Sequence, residues 1–359
     1  MASLPSTQDP SDGAPQPSDG APQPSDGAPQ PSDDASQPSD ALNPRDLTSE
    51  IKSDEHYFAY GAYSEVFGGD WTDASTGKVT RVAIKALRGV TNDEKELVKI
   101  RKRLLREIMV WVPLKHPNIT PFLGVVTGFG PLSAMVSPYY SKANINQYTL
   151  DNPDVDRLPL ILGVARGLEY LHSLGLLHGD LKGHNVLIDD DLSPRLADFG
   201  RSRIVERRGF TTAFTGTGRY MAPELTVIND DIPYTPPTAD SSEDDTLSTN
   251  PASLDPIITK KSDIYAFAMV VIEILTSKLP FFYLRQEHLV VILTQDGKRP
   301  DRPRCVPTHF ADEIWQLMED CWHHEPQVRP EMNAAVPRLE EMQSNKLRVA
   351  WEVASVPAT

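Results

Sequence analysis

The stretch that decides the reading is His178-Gly179-Asp180-Leu181-Lys182-Gly183-His184-Asn185, followed eighteen residues after Asp180 by Asp198-Phe199-Gly200. Moving a phosphoryl group requires a cation bridging phosphate oxygens, acidic or amide oxygens to hold that cation, and a base aligned with the accepting hydroxyl. Asp180 can accept the hydroxyl proton, Lys182 can neutralise the moving phosphate, and the Asn185 amide oxygen can ligate magnesium. Each piece alone has an ordinary reading: Asp-Phe-Gly can be any turn, and an isolated His178 is more often a hydrogen-bonding residue than a catalyst.

Working outward, Arg81–Leu87 is rich in β-formers and contains Val82-Ala83-Ile84-Lys85. Between Asn92 and Val112 the apolar Ile100, Leu104, Ile108 and Trp111 recur at helical spacing, and Glu107 falls on that inward stripe. A carboxylate there needs a partner. Downstream stands Ala222-Pro223-Glu224. In this order and spacing the set resembles the signature of eukaryotic protein kinases, and His116-Pro117-Asn118-Ile119 resembles the turn after the helix in that family.

The resemblance implies an α+β, bilobal kinase fold, with a β-rich lobe over residues 46–140 and a mainly helical lobe over 141–345. It implies ATP and Mg2+ as cofactors, Asp180 as base, Lys182 beside it, and Asn185 and Asp198 as metal ligands. Lys85 would bind the α/β-phosphates and pair with Glu107. Ala59-Tyr60-Gly61-Ala62-Tyr63-Ser64-Glu65-Val66 aligns with the glycine-rich loop but keeps only Gly61, with the small Ala59 and Ser64 at the other glycine positions. Val66, Ala83 and Leu187 match residues that enclose adenine, and Met135–Tyr139 matches the strand into the hinge, with Ser137 as a small gatekeeper and Tyr139 beyond it. Ser262-Asp263-Ile264-Tyr265 resembles the start of the buried helix whose Asp braces the catalytic loop, and Arg329 the partner of Glu224.

Lys182 and Thr217 resemble serine/threonine kinases, whereas Tyr220–Glu224 and Cys321-Trp322 with Pro326 and Arg329-Pro330 look like the tyrosine-kinase-like group of fungal type. The expected activity is transfer of the ATP γ-phosphate to Ser/Thr hydroxyls of proteins; a nucleotide-binding scaffold or pseudokinase is the alternative. Most regulated members carry Arg where this chain has Gly179, and that Arg gathers a phosphate on the activation loop. Activity is therefore expected to depend little on phosphorylation of Thr211, Thr212 or Thr215; Arg201, Arg203, Arg207 and Arg208 read as a basic solvated loop, with a role as substitute receptors the alternative.

Composition bounds the rest. The net charge of −15 is confined to two segments: residues 1–50 hold nine acids against Arg45, and residues 225–259 hold seven acids and no base. The remainder sums to about zero, which leaves no nucleic-acid footprint. Pro-Ser-Asp-Gly-Ala-Pro-Gln repeats from Pro10, Pro17 and Pro24, and Pro with Gly in every unit forbids helix, so residues 1–45 read as a solvated, disordered tail. Residues 226–259 read as a disordered acidic insertion and 346–359 as a C-terminal tail. Two cysteines without clustered spacing fit a reducing, cytoplasmic interior rather than a disulfide framework or zinc site. The most apolar run, Ile264–Leu275, contains Glu273 and is too short to span a membrane. Substrate, upstream activator and oligomeric state are not legible.

Overall fold

The structure is a computed structural model that describes residues 44–61, 64–88, 94–199, 203–204, 218–226, 258–306 and 312–345. The repeat tail up to residue 43, most of the acidic insertion, residues 346–359 and the threonines at 211, 212 and 215 lie outside the described residues.

The first lobe is a five-stranded antiparallel sheet in the order β1-β2-β3-β5-β4, built from β1 (Ile51–Tyr60), β2 (Ser64–Thr72), β3 (Val79–Leu87), β4 (Gly124–Val126) and β5 (Ala134–Pro138). Alternation along β3 sends Val82, Ile84 and Ala86 into one core layer with Val126, Ala134 and Val136, leaving Ala83 and Lys85 on the opposite face. Leu47, fully buried in that layer, is delivered by a short chain segment bonded to β4 through Leu47 N to Val125 O (2.8 Å) and Val125 N to Arg45 O (2.8 Å). Burying one such leucine is worth about 2 kcal/mol.

Helix α1 (Glu94–Trp111) lays Leu104, Ile108 and Trp111 against the main core. That core continues through the second lobe: α2 (Ile145–Asp151), α3 (Leu158–Ser173), α4 (Lys260–Thr276), α5 (Glu287–Gln295), α6 (Arg302–Cys305), α7 (Asp312–Cys321) and α8 (Met332–Ser344). The short ladders β6 (Leu176–Leu177) with β9 (Arg203–Ile204), and β7 (Val186–Ile188) with β8 (Pro194–Leu196), carry the loop between them. Helix α4 is the axis. Its residues from Ser262 to Thr276 are all buried, as expected of a helix apolar on every side. Thr259 and Ser262 form a capping box at its start, and Ser277 ends it in the left-handed region. Among the described residues no helix is long and apolar enough to cross a membrane.

Candidate active site

Lys85 leaves the sheet on the face opposite the first core layer and meets the inward side of α1. Its Nζ lies 2.9 Å from Glu107 Oε1 and 2.7 Å from Asp198 Oδ1. Glu107 is 4% exposed, so the partner its sequence position demands is Lys85. Burial disfavours the Lys85 ammonium, but the charges of Asp198 and Glu107 outweigh it and hold the lysine above its ordinary value. One cation serves two carboxylates unequally: burial leaves Glu107 raised, whereas Asp198, although desolvated by the cleft, is brought down to about 2 chiefly by Lys85. Asp198 sits at φ +66°, a left-handed conformation Asp tolerates better than most residues. The next side chain, Phe199, is buried with its ring centroid 5.7 Å from Trp111 and 5.8 Å from His178, which pins the turn between α1 and the loop 178–185.

That loop is held from below by two carboxylates of α4. Asp263 accepts from His178 N (2.8 Å), Gly179 N (2.9 Å) and the His172 ring (3.1 Å). Glu273 accepts from Gly183 N (2.7 Å), Asn146 Nδ2 (2.8 Å) and the Tyr220 hydroxyl (2.6 Å). Burial pushes Glu273 up to about 7 despite those three donors. Between the anchors, Lys182 Nζ donates to Asp180 Oδ2 (2.8 Å), and Asn185 Nδ2 donates to the Asp180 carbonyl (2.8 Å). Asn185 O accepts from Ala197 N (2.9 Å), which brings Asn185 beside Asp198. His178 is fully buried and burial lowers its value; a neutral imidazole there suits a packed residue.

The residues expected to face a nucleotide divide between the two lobes. Ala83 and Ser137 are paired across β3 and β5, Val66 is paired with Lys85 and with Ala59, so these residues share one sheet face. Tyr139 N donates to Arg81 O (3.2 Å) just past β5, and its ring is edge-on to Phe58 at 5.3 Å. Gly61 N donates to Ser64 O (2.7 Å) and closes the β1–β2 hairpin; Ala62 and Tyr63 lie outside the described residues. Leu187 belongs to the other lobe, on β7, bridged to Asn144. Arg329, whose side chain is fully buried, forms a two-pronged contact with Glu224 at 2.7 and 2.8 Å.

Sequence reasoning missed Glu273, Tyr220 and Asn146 as parts of this framework. The one available signal was an acid inside the apolar run Ile264–Leu275.

A sequence model of the family described as "Protein kinase domain" matches residues 59–240, and one described as "Protein tyrosine and serine/threonine kinase" matches residues 250–339. The chain belongs to the protein kinase family. This kinase domain is of the tyrosine-kinase-like type. It is 27% identical over 80% of its length to "Serine/threonine-protein kinase STY46" of Arabidopsis thaliana, covering 43% of that protein. It is 29% identical over 79% of its length to "Serine/threonine/tyrosine-protein kinase HT1" of the same plant, covering 64% of it. With "Probable serine/threonine-protein kinase drkD" of Dictyostelium discoideum the identity is 31% over 79% of the chain and 19% of the relative. The chain therefore spans less than two thirds of the length of each of these relatives.

Proposed function

We propose that this kinase domain transfers the γ-phosphoryl group of ATP to Ser or Thr hydroxyls of protein substrates. The observation that carries the proposal is the convergence of Lys85, Glu107 and Asp198 with the Asp180–Lys182–Asn185 group on one fixed loop. Asp180, accepting from Lys182, takes the hydroxyl proton, and Lys182 offsets charge on the moving phosphoryl group. Lys85, positioned by Glu107, holds the α/β-phosphates. Val66, Ala83, Leu187 and the Ser137–Tyr139 strand end enclose the base, while Ala59, Gly61 and Ser64 border the phosphates.

The chemistry of the donors suits Mg2+. The Asn185 amide nitrogen is committed to the Asp180 carbonyl, which leaves its oxygen for a cation, and Lys85 bonds only one oxygen of Asp198. Among the described residues no three His, Cys, Asp or Glu side chains are arranged as a metal site, so this pair would need phosphate and water oxygens to complete a shell, as Mg2+ prefers. When bound, Mg2+ supplies charge neutralisation between the phosphates.

Regulation without an activation-loop phosphate is part of the proposal. Gly179 occupies φ +74° with its N–H on Asp263, a conformation that strains any residue with a Cβ. The glycine therefore relaxes the backbone where an arginine would bind phosphate. The buried thiols of Cys305 and Cys321, both pushed up to about 12 by burial, fit a reducing cytoplasmic setting, with residues 46–140 and 141–345 as the two lobes.

The test is Mg2+-dependent phosphorylation of a Ser/Thr peptide library by the purified chain and by Asp180→Ala. A loss of about 10² to 10⁴ in rate is expected. Equal incorporation by both proteins overturns the reading.

A further inference from the structure

Helix α5 combines an apolar composition with an open face. Leu289-Val290-Val291-Ile292-Leu293 are consecutive, and a helix apolar on every side belongs in a core. Yet within α5 only Val290 and Thr294 are buried, while Leu289 is 39% and Ile292 53% exposed. Both ends of the helix are fixed. Arg219 pins its entry, donating to Pro280 O (2.7 Å), Phe281 O (2.9 Å) and Leu284 O (2.7 Å). At the other end the Gln295 amide donates to Pro223 O (2.6 Å) and to the Thr226 hydroxyl.

Thr226 is the last described residue before the acidic insertion, so the chain of residues 227–257 departs from α5 itself. On a helix of 3.6 residues per turn, His288, Ile292 and Gln295 fall on one stripe, with Leu289 beside it. Asp296, Gly297 and Lys298 follow Gln295, so the uncovered apolar side chains lie on the N-terminal side of this anchor. At about 1.5 Å per residue, Ile292 lies about 4.5 Å, Leu289 about 9 Å and the helix start about 12 Å from Gln295 along the axis. Arg285, exposed, stands two residues before that start. An extended chain advances about 3.3 Å per residue, which carries Val227 and Ile228 about 3–7 Å from Thr226 and Asp230 and Asp231 about 13–17 Å. The two sequences therefore match in order: apolar residues opposite Ile292 and Leu289, then two acids opposite His288 and Arg285. The acid of the first turn, Glu287, faces Arg219 instead, at 3.9 Å.

We propose that the exposed face of α5 is an intramolecular docking surface for the first stretch of the acidic insertion, residues 227–234. Val227, Ile228 and Ile232 cover Leu289 and Ile292, and Asp230 and Asp231 pair with His288 and Arg285. Covalent attachment favours this occupant over a second copy or another protein, because a segment joined to its site through a few residues meets it at an effective concentration on the order of millimolar. Charge acts in the same direction, since residues 225–259 hold seven acids and no base and the far end of the face is basic. This docking requires no phosphotransfer and is tested without it.

The experiment is photo-crosslinking of the purified full-length chain carrying Ile292→p-benzoylphenylalanine, which keeps the position apolar. Isotope-labelled and unlabelled chains are mixed in equal amounts and the products mapped by mass spectrometry. The expected product joins residue 292 to residues 227–234 of the same chain. Ile228→Asp, Ile232→Asp, Asp230→Lys and Asp231→Lys introduced together alter no described residue, and they are expected to lower the yield of that product by about tenfold or more. Cross-links between labelled and unlabelled chains assign the face to a second copy, and the absence of any product on residues 227–234 leaves it to a separate partner; either result overturns the proposal. So does a yield in the four-site variant within about twofold of the original, since nearness to Thr226 alone then accounts for the contact.

Discussion

Replacing Glu273 with Gln tests the polar centre of α4. The side chain is fully buried, and burial pushes its carboxyl from 4.5 up to about 7 in spite of donors from Tyr220, Asn146 and Gly183. A carboxyl raised in this way binds its proton more tightly in the folded protein than in the unfolded chain, so protonation favours folding. Its stabilisation is complete below about pH 4.5 and is lost as pH rises through about 7. The full difference corresponds to about 3 kcal/mol. Gln does not ionise and lacks this dependence, yet it offers one acceptor oxygen to three donors, so an N–H loses its partner at a cost of about 1–3 kcal/mol.

The two effects oppose each other, and only the first depends on pH. Glu273→Gln should therefore be the less stable protein near pH 5, with the gap closing by about 3 kcal/mol as pH approaches 8. Urea unfolding of both proteins across that range, followed by tryptophan fluorescence, measures the difference. Titrations common to both proteins cancel in it. A stability difference constant to within about 1 kcal/mol from pH 5 to 8 would refute the reasoning, because Glu273 would then be ionised, or protonated, throughout.

Lys85→Met strands the buried Glu107 carboxylate and should lower stability by about 3–5 kcal/mol as well as abolish transfer; adding Glu107→Gln should return about half of that loss, measured by denaturant midpoint, and no recovery would argue against the pairing. Gly183→Ala would drive its Cβ into the Asn146 amide, which Glu273 holds in place, so a loss of about 1–3 kcal/mol is expected and an unchanged melting curve counts against this close approach. Gly179→Arg should destabilise by about 1–2 kcal/mol through its positive φ, an outcome read by chemical denaturation. Alanine at Thr211, Thr212 and Thr215 together should leave peptide phosphorylation within about tenfold of wild type, roughly 1.4 kcal/mol in barrier; a larger loss sinks the proposal of phosphate-independent activity.

The residues of the proposed transfer site stood out in the sequence because the chemistry proposed for them dictates residue type: a base, a lysine and two oxygen ligands admit few substitutes, and Glu107 betrayed its partner Lys85 by occupying an apolar stripe. Helix α3 is legible in the sequence, since its apolar pattern over Leu158–Ser173 ends at the Gly175 turn, which sits at φ +68°. Strand β1 begins at Ile51, and its polar start, Lys52-Ser53-Asp54-Glu55, carries no apolar alternation to announce it, because it is an exposed edge that pairs with β2 through register shifts. Helix α8 was missed because Pro337 interrupts it. Arg157 and Arg219 were illegible for a different reason. Their partners are chiefly backbone carbonyls, which leave no trace in side-chain sequence.

The same distinction explains why α4 governs the site. Asp263 and Glu273 lie about 15 Å apart along the helix at 1.5 Å per residue, and they hold opposite ends of the loop that carries Asp180. Both carboxylates bond chiefly to neutral groups, several of them backbone amides, so the loop's shape depends on a helix that is buried on every side and cannot yield locally. Tyr220 brings the 218–222 segment onto Glu273, and Arg219 fixes the same segment to the connection leaving α4. The loop that carries Asp180 and the 218–222 segment are thereby referenced to one rigid element. In the proposed mechanism this replaces part of the ordering that a phosphate and an arginine beside the base would provide, and a glycine at position 179 becomes compatible with an active enzyme.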